Sequence, residues 1–193
     1  MSRVVFLLEE YSMKVLLDGL LPRLFPGLPF LCVPHGGKHD LETSIPRKLR
    51  AWREPGVRFC VIRDNDGGDC HVLKARLVAL CQDRVREDAL VRIACQELEA
   101  WYFGAPDALA DAFGYDTLRG ISAKARFRDP DVIDHPAGVL AELVEEFQKV
   151  SGARLMAQHL SRENSSRSFQ VLIQGIRRLQ ASMPDGPMQG GDN

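Results

Sequence analysis

Apolar residues fall along this chain in two alternating rhythms. Residues 3–10, RVVFLLEE, open with an unbroken β-branched and aliphatic run that predicts a buried strand. Residues 12–24, SMKVLLDGLLPRL, switch to helical spacing, with Ser12 as the expected N-cap. PFLCVPH (29–35) predicts a second strand and is followed by a glycine turn, GGKHD. LETSIPRKLRAWRE (41–54) predicts a helix with Pro46 near its start. VRFCVIRD (57–64) predicts a third strand, CHVLKARLVALCQDRV (70–85) an amphipathic helix, and ALVRIACQ (89–96) a fourth strand.

Strands alternating with helices argue for a mostly parallel sheet covered on both faces, an α/β fold. From Glu97 onward the alternation stops. Helical stretches follow, such as 135–150 and 168–183, with no convincing strand. The expected organisation is an α/β core over residues 1–104 and a helical part packed on it over 105–183. The last stretch, PDGPMQGGDN (184–193), is expected to be a disordered tail. No internal repeat interrupts this plan.

Composition narrows the functional classes. With 193 residues, 45% hydrophobic and 26% charged, the chain suits a soluble globular protein. A formal charge of −1 supplies no global attraction to nucleic acid or anionic membrane, so such binding has to come from local patches. The first apolar run is too short for a signal peptide or a membrane span. Five cysteines show no paired zinc-type spacing, and most sit inside apolar runs. A cytoplasmic location is expected.

The candidate chemistry is acidic. Residues 61–70, VIRDNDGGDC, place Asp64, Asp66 and Asp69 directly after the third strand. Glu9 and Glu10 end the first strand, and Glu97 and Glu99 follow the fourth. Ligands of open parallel sheets bind beyond the C-terminal strand ends, which is where these acids emerge. If the chain stays extended, Asp64 and Asp66 project to one side and face one point. Clustered carboxylates repel one another without a cation, and Mg²⁺ or Mn²⁺ with a phosphodiester is the natural complement. The competing reading is a solvated turn, because Asp, Asn and Gly also form turns and acids favour helix starts. Acids at three separate strand ends favour the metal.

Other motifs fail on spacing. An EF-hand starting at Asp64 needs its glycine where Asp69 stands and its glutamate where Ala75 stands. A P-loop around Gly37 and Lys38 has Cys32 for its first glycine and His39 for its Ser/Thr. No dinucleotide fingerprint is present, so no nucleotide cofactor is expected. His35 and His39 are separated by glycines and make a poor zinc pair. Cys70 and His71 are adjacent on a helix and diverge. Trp101, Tyr102 and Phe103 suit core packing better than base stacking.

The acidic residues resemble a Toprim domain, the metal-binding α/β module of topoisomerases, primases and OLD-type nucleases. In EEYSM (9–13), Glu9 stands on that family's glutamate and Ser12 on its hydroxyl residue, while Asp64 and Asp66 stand on its Asp-x-Asp. Glu10 replaces the motif glycine and Met13 its second acid. A closer resemblance is to a Toprim-like family of unknown function, often encoded beside AAA or OLD-type ATPases, through ELEAW (97–101) and SRSFQVL (166–172). The resemblance implies a Toprim-like sheet, a metal site at Glu9, Asp64 and Asp66, and Glu97 or Glu99 as a further ligand or water-orienting acid. Glu10 and Asp69 are secondary candidates. It also implies a nuclease acting on DNA or RNA, an ATPase partner, and a role in defence against phage or foreign DNA.

Lys38, Arg47, Lys48, Lys124 and Arg126 are the candidate phosphate contacts, although solvated basic faces look the same in sequence. Two further readings stand beside the nuclease. One is a non-catalytic subunit that binds the ATPase. The other is a small-molecule phosphatase or phosphotransferase using the same acids.

Overall fold

The computed structural model describes residues 2–82 and 88–183, so the end of the 70–85 stretch and the 184–193 tail lie outside the described residues. Four strands, β1 (Arg3–Leu8), β2 (Phe30–Pro34), β3 (Val57–Asp64) and β4 (Leu90–Ala94), form one sheet in the order β2-β1-β3-β4. All three pairings are parallel. Helices α1 (Tyr11–Leu24), α2 (Lys38–Ala51) and α3 (Cys70–Cys81) make the crossovers.

Alternation along β1 and β3 decides which residues face which layer. Val4, Phe6, Leu8, Cys60 and Ile62 join α1 and the C-terminal helices in one apolar cluster. Val5, Leu7, Phe59 and Val61 join α2 and α3 in the other. Period-two alternation in a sheet buried on both sides requires apolar residues at every position, hence the unbroken runs in the sequence.

The strand order carries a functional consequence. The chain leaves β1 toward β2 on one side and returns to place β3 on the other. The order therefore reverses between β1 and β3, the position at which open parallel sheets bind ligands past their C-terminal strand ends. Glu9 and Asp64 stand at that reversal.

Several sequence boundaries move. β1 ends at Leu8 and β4 at Ala94, so Glu9, Glu10 and Cys95 lie in the loops beyond. Glu10, not Ser12, occupies the N-cap position of α1, and Ser12 lies buried in the first turn, donating its hydroxyl to the Glu10 carboxylate. α2 begins at Lys38, so this lysine opens a helix rather than sitting in a loop, and Pro46 falls well inside it. Gly37 caps that helix at φ 112°, a left-handed backbone that glycine adopts without strain.

After β4 come α4 (Ala100–Phe103), α5 (Pro106–Phe113), four 3-10 turns between 116 and 132, α6 (Pro136–Leu143), α7 (Lys149–His159) and α8 (Arg167–Ala181). The continuous helix expected over 135–150 is broken. Val144 is extended and buried, and the Phe147 ring turns inward onto α7. A Cβ at Gly152 would stand 2.5 Å from that ring. Burying both apolar residues requires the break. It releases Lys149 to open a separate helix, which packs along α1.

The ELEAW and SRSFQVL segments meet. Trp101 Nε1 donates to Ser168 Oγ at 2.9 Å, and the Trp101 and Phe169 rings pack edge to face. Trp101, Tyr102 and Phe103 are all buried, as expected of packing residues. Gly104 seals this junction. Its carbonyl accepts from Ser165 N–H at 2.7 Å, and an added Cβ would lie 2.9 Å from the Ser166 backbone nitrogen and 2.0 Å from Asn164 Oδ1. Gly104→Ala should destabilise the fold by about 1–3 kcal/mol, the usual scale for overpacking. Urea denaturation reads this directly, and an unchanged midpoint would mean the junction yields freely.

Candidate active site

The acids from three strand ends converge, but not in the arrangement that an extended chain implies. Asp64 closes β3 on the α1 face and is buried. Two residues later Asp66 has φ 48°, so the backbone turns left-handed and the two side chains part. Asp66 reaches the α2 side, where Lys38 Nζ stands 3.2 Å from its carboxylate. Asn65 fastens the loop: its N–H bonds Ala94 O at 3.2 Å, its Oδ1 accepts from Gln96 N–H, and its Nδ2 donates to Gly68 O at 2.5 Å.

Glu9 feels both aspartates, bonded to the backbone of one and repelled by the charge of the other. Its carboxylate accepts the Asp64 N–H at 3.1 Å and lies 3.6 Å from Arg63 Nε. Arg63, on the opposite face of β3 from Asp64, is itself buried and paired with Glu42 of α2, which also binds Arg76 of α3 at 2.5 Å. Burial and the Asp66 charge hold the Glu9 carboxyl above its ordinary range, against the Asp64 N–H and Arg63.

Asp64 and Glu99 are both buried, near enough for the Glu99 charge to act on Asp64. Glu99 is fully buried, and neither of its oxygens has a hydrogen-bond partner; nor does Asp64 Oδ1. Burial first, then Glu9, Glu99 and Glu10, raise Asp64 well above the usual carboxylate range. Burial pushes Glu99 up to about 7, although Lys149 pulls the other way. Tyr102, whose buried hydroxyl is likewise unpartnered, is raised by burial and by Glu99, Glu10 and Asp64. Uncompensated polar atoms of this kind are rare in folded proteins and call for an explanation.

Lys149 brings a cation to these acids from α7. Its ammonium lies 3.5 Å from Glu10. Burial disfavours its charge, but Glu99, Glu10, Asp64 and Glu97 outweigh that and raise it overall. No sequence signal marks this residue, because it sits at the end of a stretch that reads as one helix and only the break at Val144 aims it here. Lys149→Met should cost about 1 kcal/mol at neutral pH, the upper range for a half-exposed pair. Thermal melting checks this, and unchanged stability would mean that Lys149 carries no share of the acidic charge.

The remaining candidates disperse. Glu97 accepts the Ala137 N–H at 2.8 Å and so fixes the start of α6. Asp69 caps α3 through the His71 and Val72 N–H groups at 2.7 and 3.0 Å, and this holds its carboxyl below the usual range. Arg47 and Lys48 lie toward the far end of α2, about 15 Å along the helix from Lys38. Lys124 and Arg126 are exposed on the 3-10 segment whose Phe127 stacks on Phe103 of α4 at 5.4 Å.

Among the described residues, no three His, Cys, Asp or Glu side chains already form a metal-ligating group. Nor does any described helix have the length and apolarity to cross a membrane.

The fold is a four-stranded all-parallel α/β sheet with helices on both faces, as in the C-terminal regions of two OLD proteins. That of Xanthomonas campestris pv. campestris superposes with a TM-score of 0.54 at 17% identity, covering 94% of this chain and 97% of that one. That of Burkholderia pseudomallei gives 0.57 at 16% identity, covering 92% and 98%. At such identities the likeness speaks for the fold. In sequence, residues 8–177 match the domain of unknown function DUF4276, and the chain belongs to that family. No curated protein matches it.

Proposed function

We propose that the chain is a Toprim-like phosphodiester hydrolase acting on nucleic acid with Mg²⁺ or Mn²⁺. The observation that carries this reading is the buried carboxylate of Asp64, its Oδ1 unpartnered, within reach of the Glu9 and Glu99 charges at the reversal of strand order. Hard divalent cations take oxygen donors, and Mg²⁺ typically uses one or two carboxylates with water and substrate phosphate completing the shell. A complete protein cage is therefore not required, and the donor set fits. Asp64 and Glu9 would hold the ion, with Asp66 at the rim. When bound, the ion supplies an activated water and neutralises charge at the scissile phosphate.

The protein's own groups complete the chemistry. Glu99, with its carboxyl near 7, is suited to hold or release a proton beside the attacking water. Lys149 offers positive charge to a phosphate oxygen from the α7 side, and Lys38 does so from the α2 side. Glu97 acts at one remove by holding α6. Lys124 and Arg126 would meet the nucleic-acid backbone outside the acidic site, and Arg47 and Lys48 would do so along α2. By resemblance, an AAA or OLD-type ATPase is the expected partner and foreign-DNA defence the expected setting.

One observation favours a second reading, a non-catalytic subunit that binds the ATPase. Lys149 already neutralises part of the acidic cluster without any ion. The deciding experiment incubates the purified chain with Mn²⁺ or Mg²⁺ and single-stranded DNA, double-stranded DNA, RNA and a small phosphate ester, alone and with the ATPase. Cleavage of a polynucleotide, lost in Asp64→Ala, supports the nuclease. Turnover of the ester alone points to a phosphatase, and no turnover in any arm to the binding subunit. Arg126→Ala should leave the chemistry intact and weaken polynucleotide binding, with a shallower salt dependence.

A further inference from the structure

Cys70 and Cys95 stand apart from the other cysteines. Cys32, Cys60 and Cys81 are buried in the core, whereas these two are partly exposed. Their sulfurs lie 3.2 Å apart, one on the first residue of α3 and the other in the loop after β4. Both line a cleft of ≈ 490 Å³ between α3, β4 and α8, which Lys74 and Arg167 also line. Asn65 Nδ2 donates to Cys70 Sγ at 3.1 Å.

We propose that Cys70 and Cys95 form a dithiol that a small hydroperoxide oxidises to an intramolecular disulfide. One sulfur attacks the peroxide, the O–O bond breaks, and that cysteine becomes a sulfenic acid as an alcohol or water departs. The second sulfur attacks it, the S–O bond breaks, and water leaves as the S–S bond forms. Two thiol hydrogens and one peroxide are consumed. The sulfurs must close from 3.2 Å to about 2.05 Å. One partner is in a loop and the other at a helix start, so the approach needs no rearrangement of the sheet.

The bond would staple two loops that already touch. Asn65 N–H reaches Ala94 O and Asp66 N–H reaches Gln96 O, at 3.2 and 3.0 Å. Asp66 and Gln96 both hold left-handed backbone, at φ 48° and 67°, conformations that persist only where surroundings enforce them. One loop follows Asp64 and the other precedes Glu99, so the staple would fix the spacing of the acids. The modification stands whether or not the acidic site hydrolyses phosphodiesters.

The test exposes the reduced full chain to stoichiometric hydrogen peroxide, blocks remaining thiols and maps the peptides by mass spectrometry. The expected product is monomeric, lighter by two hydrogens, linked between the Cys70 and Cys95 peptides, and restored by dithiothreitol. Cys70→Ser and Cys95→Ser should each abolish the link, and the variant that keeps the peroxide-attacking cysteine should carry a sulfenic acid there, trappable by dimedone. If either variant fails to fold, the wild-type peptide map decides alone. Retention of all five thiols, a link between two chains, or sulfinic acid without a link would each overturn the proposal. A dithiol that only packs as a small apolar pair gives the first of these results.

Discussion

The ion-free protein should lose stability as the pH rises from about 4.5 through 7, and Glu99→Gln should make that loss smaller. In the unfolded chain Glu99 ionises near its ordinary 4.5, whereas in the folded protein it keeps its proton up to about 7. Between those values the native state binds the extra proton, so the stability it contributes below 4.5 drains away as the pH climbs. Above 7 the folded protein carries a buried carboxylate with no hydrogen-bond partner. At about 1.4 kcal/mol per pKa unit, the Glu99 shift alone costs about 3 kcal/mol. In a chain of this length that corresponds to about 6–12 °C of melting temperature. Asp64 and Glu9 are shifted in the same direction, so they steepen the slope rather than offset it. Melting curves of wild type and Glu99→Gln from pH 5 to 8 test this. A flat wild-type profile, or equal slopes in both proteins, would show that Glu99 is not held protonated by burial.

The second large effect belongs to Asp64. A divalent ion that binds the native state at 100 times its dissociation constant adds about 2.7 kcal/mol. The wild-type melting temperature at pH 8 should then rise by about 5–10 °C on adding Mn²⁺. In Asp64→Asn that rise should vanish, together with a loss of cleavage of at least about 100-fold, the scale on which a single charge-stabilising group acts. Without the ion, Asp64→Asn should be more stable than wild type, because a neutral amide replaces a buried charge. Opposite signs with and without Mn²⁺ distinguish a lost ligand from a damaged fold. Asp66→Asn should keep most of the rise, since Asp66 is half exposed and already paired with Lys38. Equal responses in wild type and Asp64→Asn would place the ion elsewhere.

The sheet was legible in the sequence because a strand buried on both faces has to be apolar at every position. That requirement wrote itself into VVFLL and FCVI, and the helices between the strands required parallel pairing. Strand ends were harder to place, since Glu9 and Glu10 follow β1 with no turn residue to mark the stop. The Asp69 cap was legible as a competing reading, because the same residue types start helices and bind cations.

The convergence of acids on one edge also followed from the sequence: parallel strands release all their C-terminal ends together, and Glu9, Asp64 and Glu99 each lie at or just past one. What the tertiary structure alone decided was which acids share a space. A left-handed backbone at Asp66 turned it from Asp64 toward Lys38; aspartate tolerates that conformation, but the bond from Asp66 N–H to Gln96 O, in a loop distant in the chain, holds it there. Burial of Val144 and Phe147 broke the helix expected over 135–150 and brought Lys149 across to Glu10. Period and propensity report a segment's preferences in isolation. The position of a lysine against a carboxylate 139 residues away depends on how two helices pack, and that packing is fixed by side chains distant in the chain.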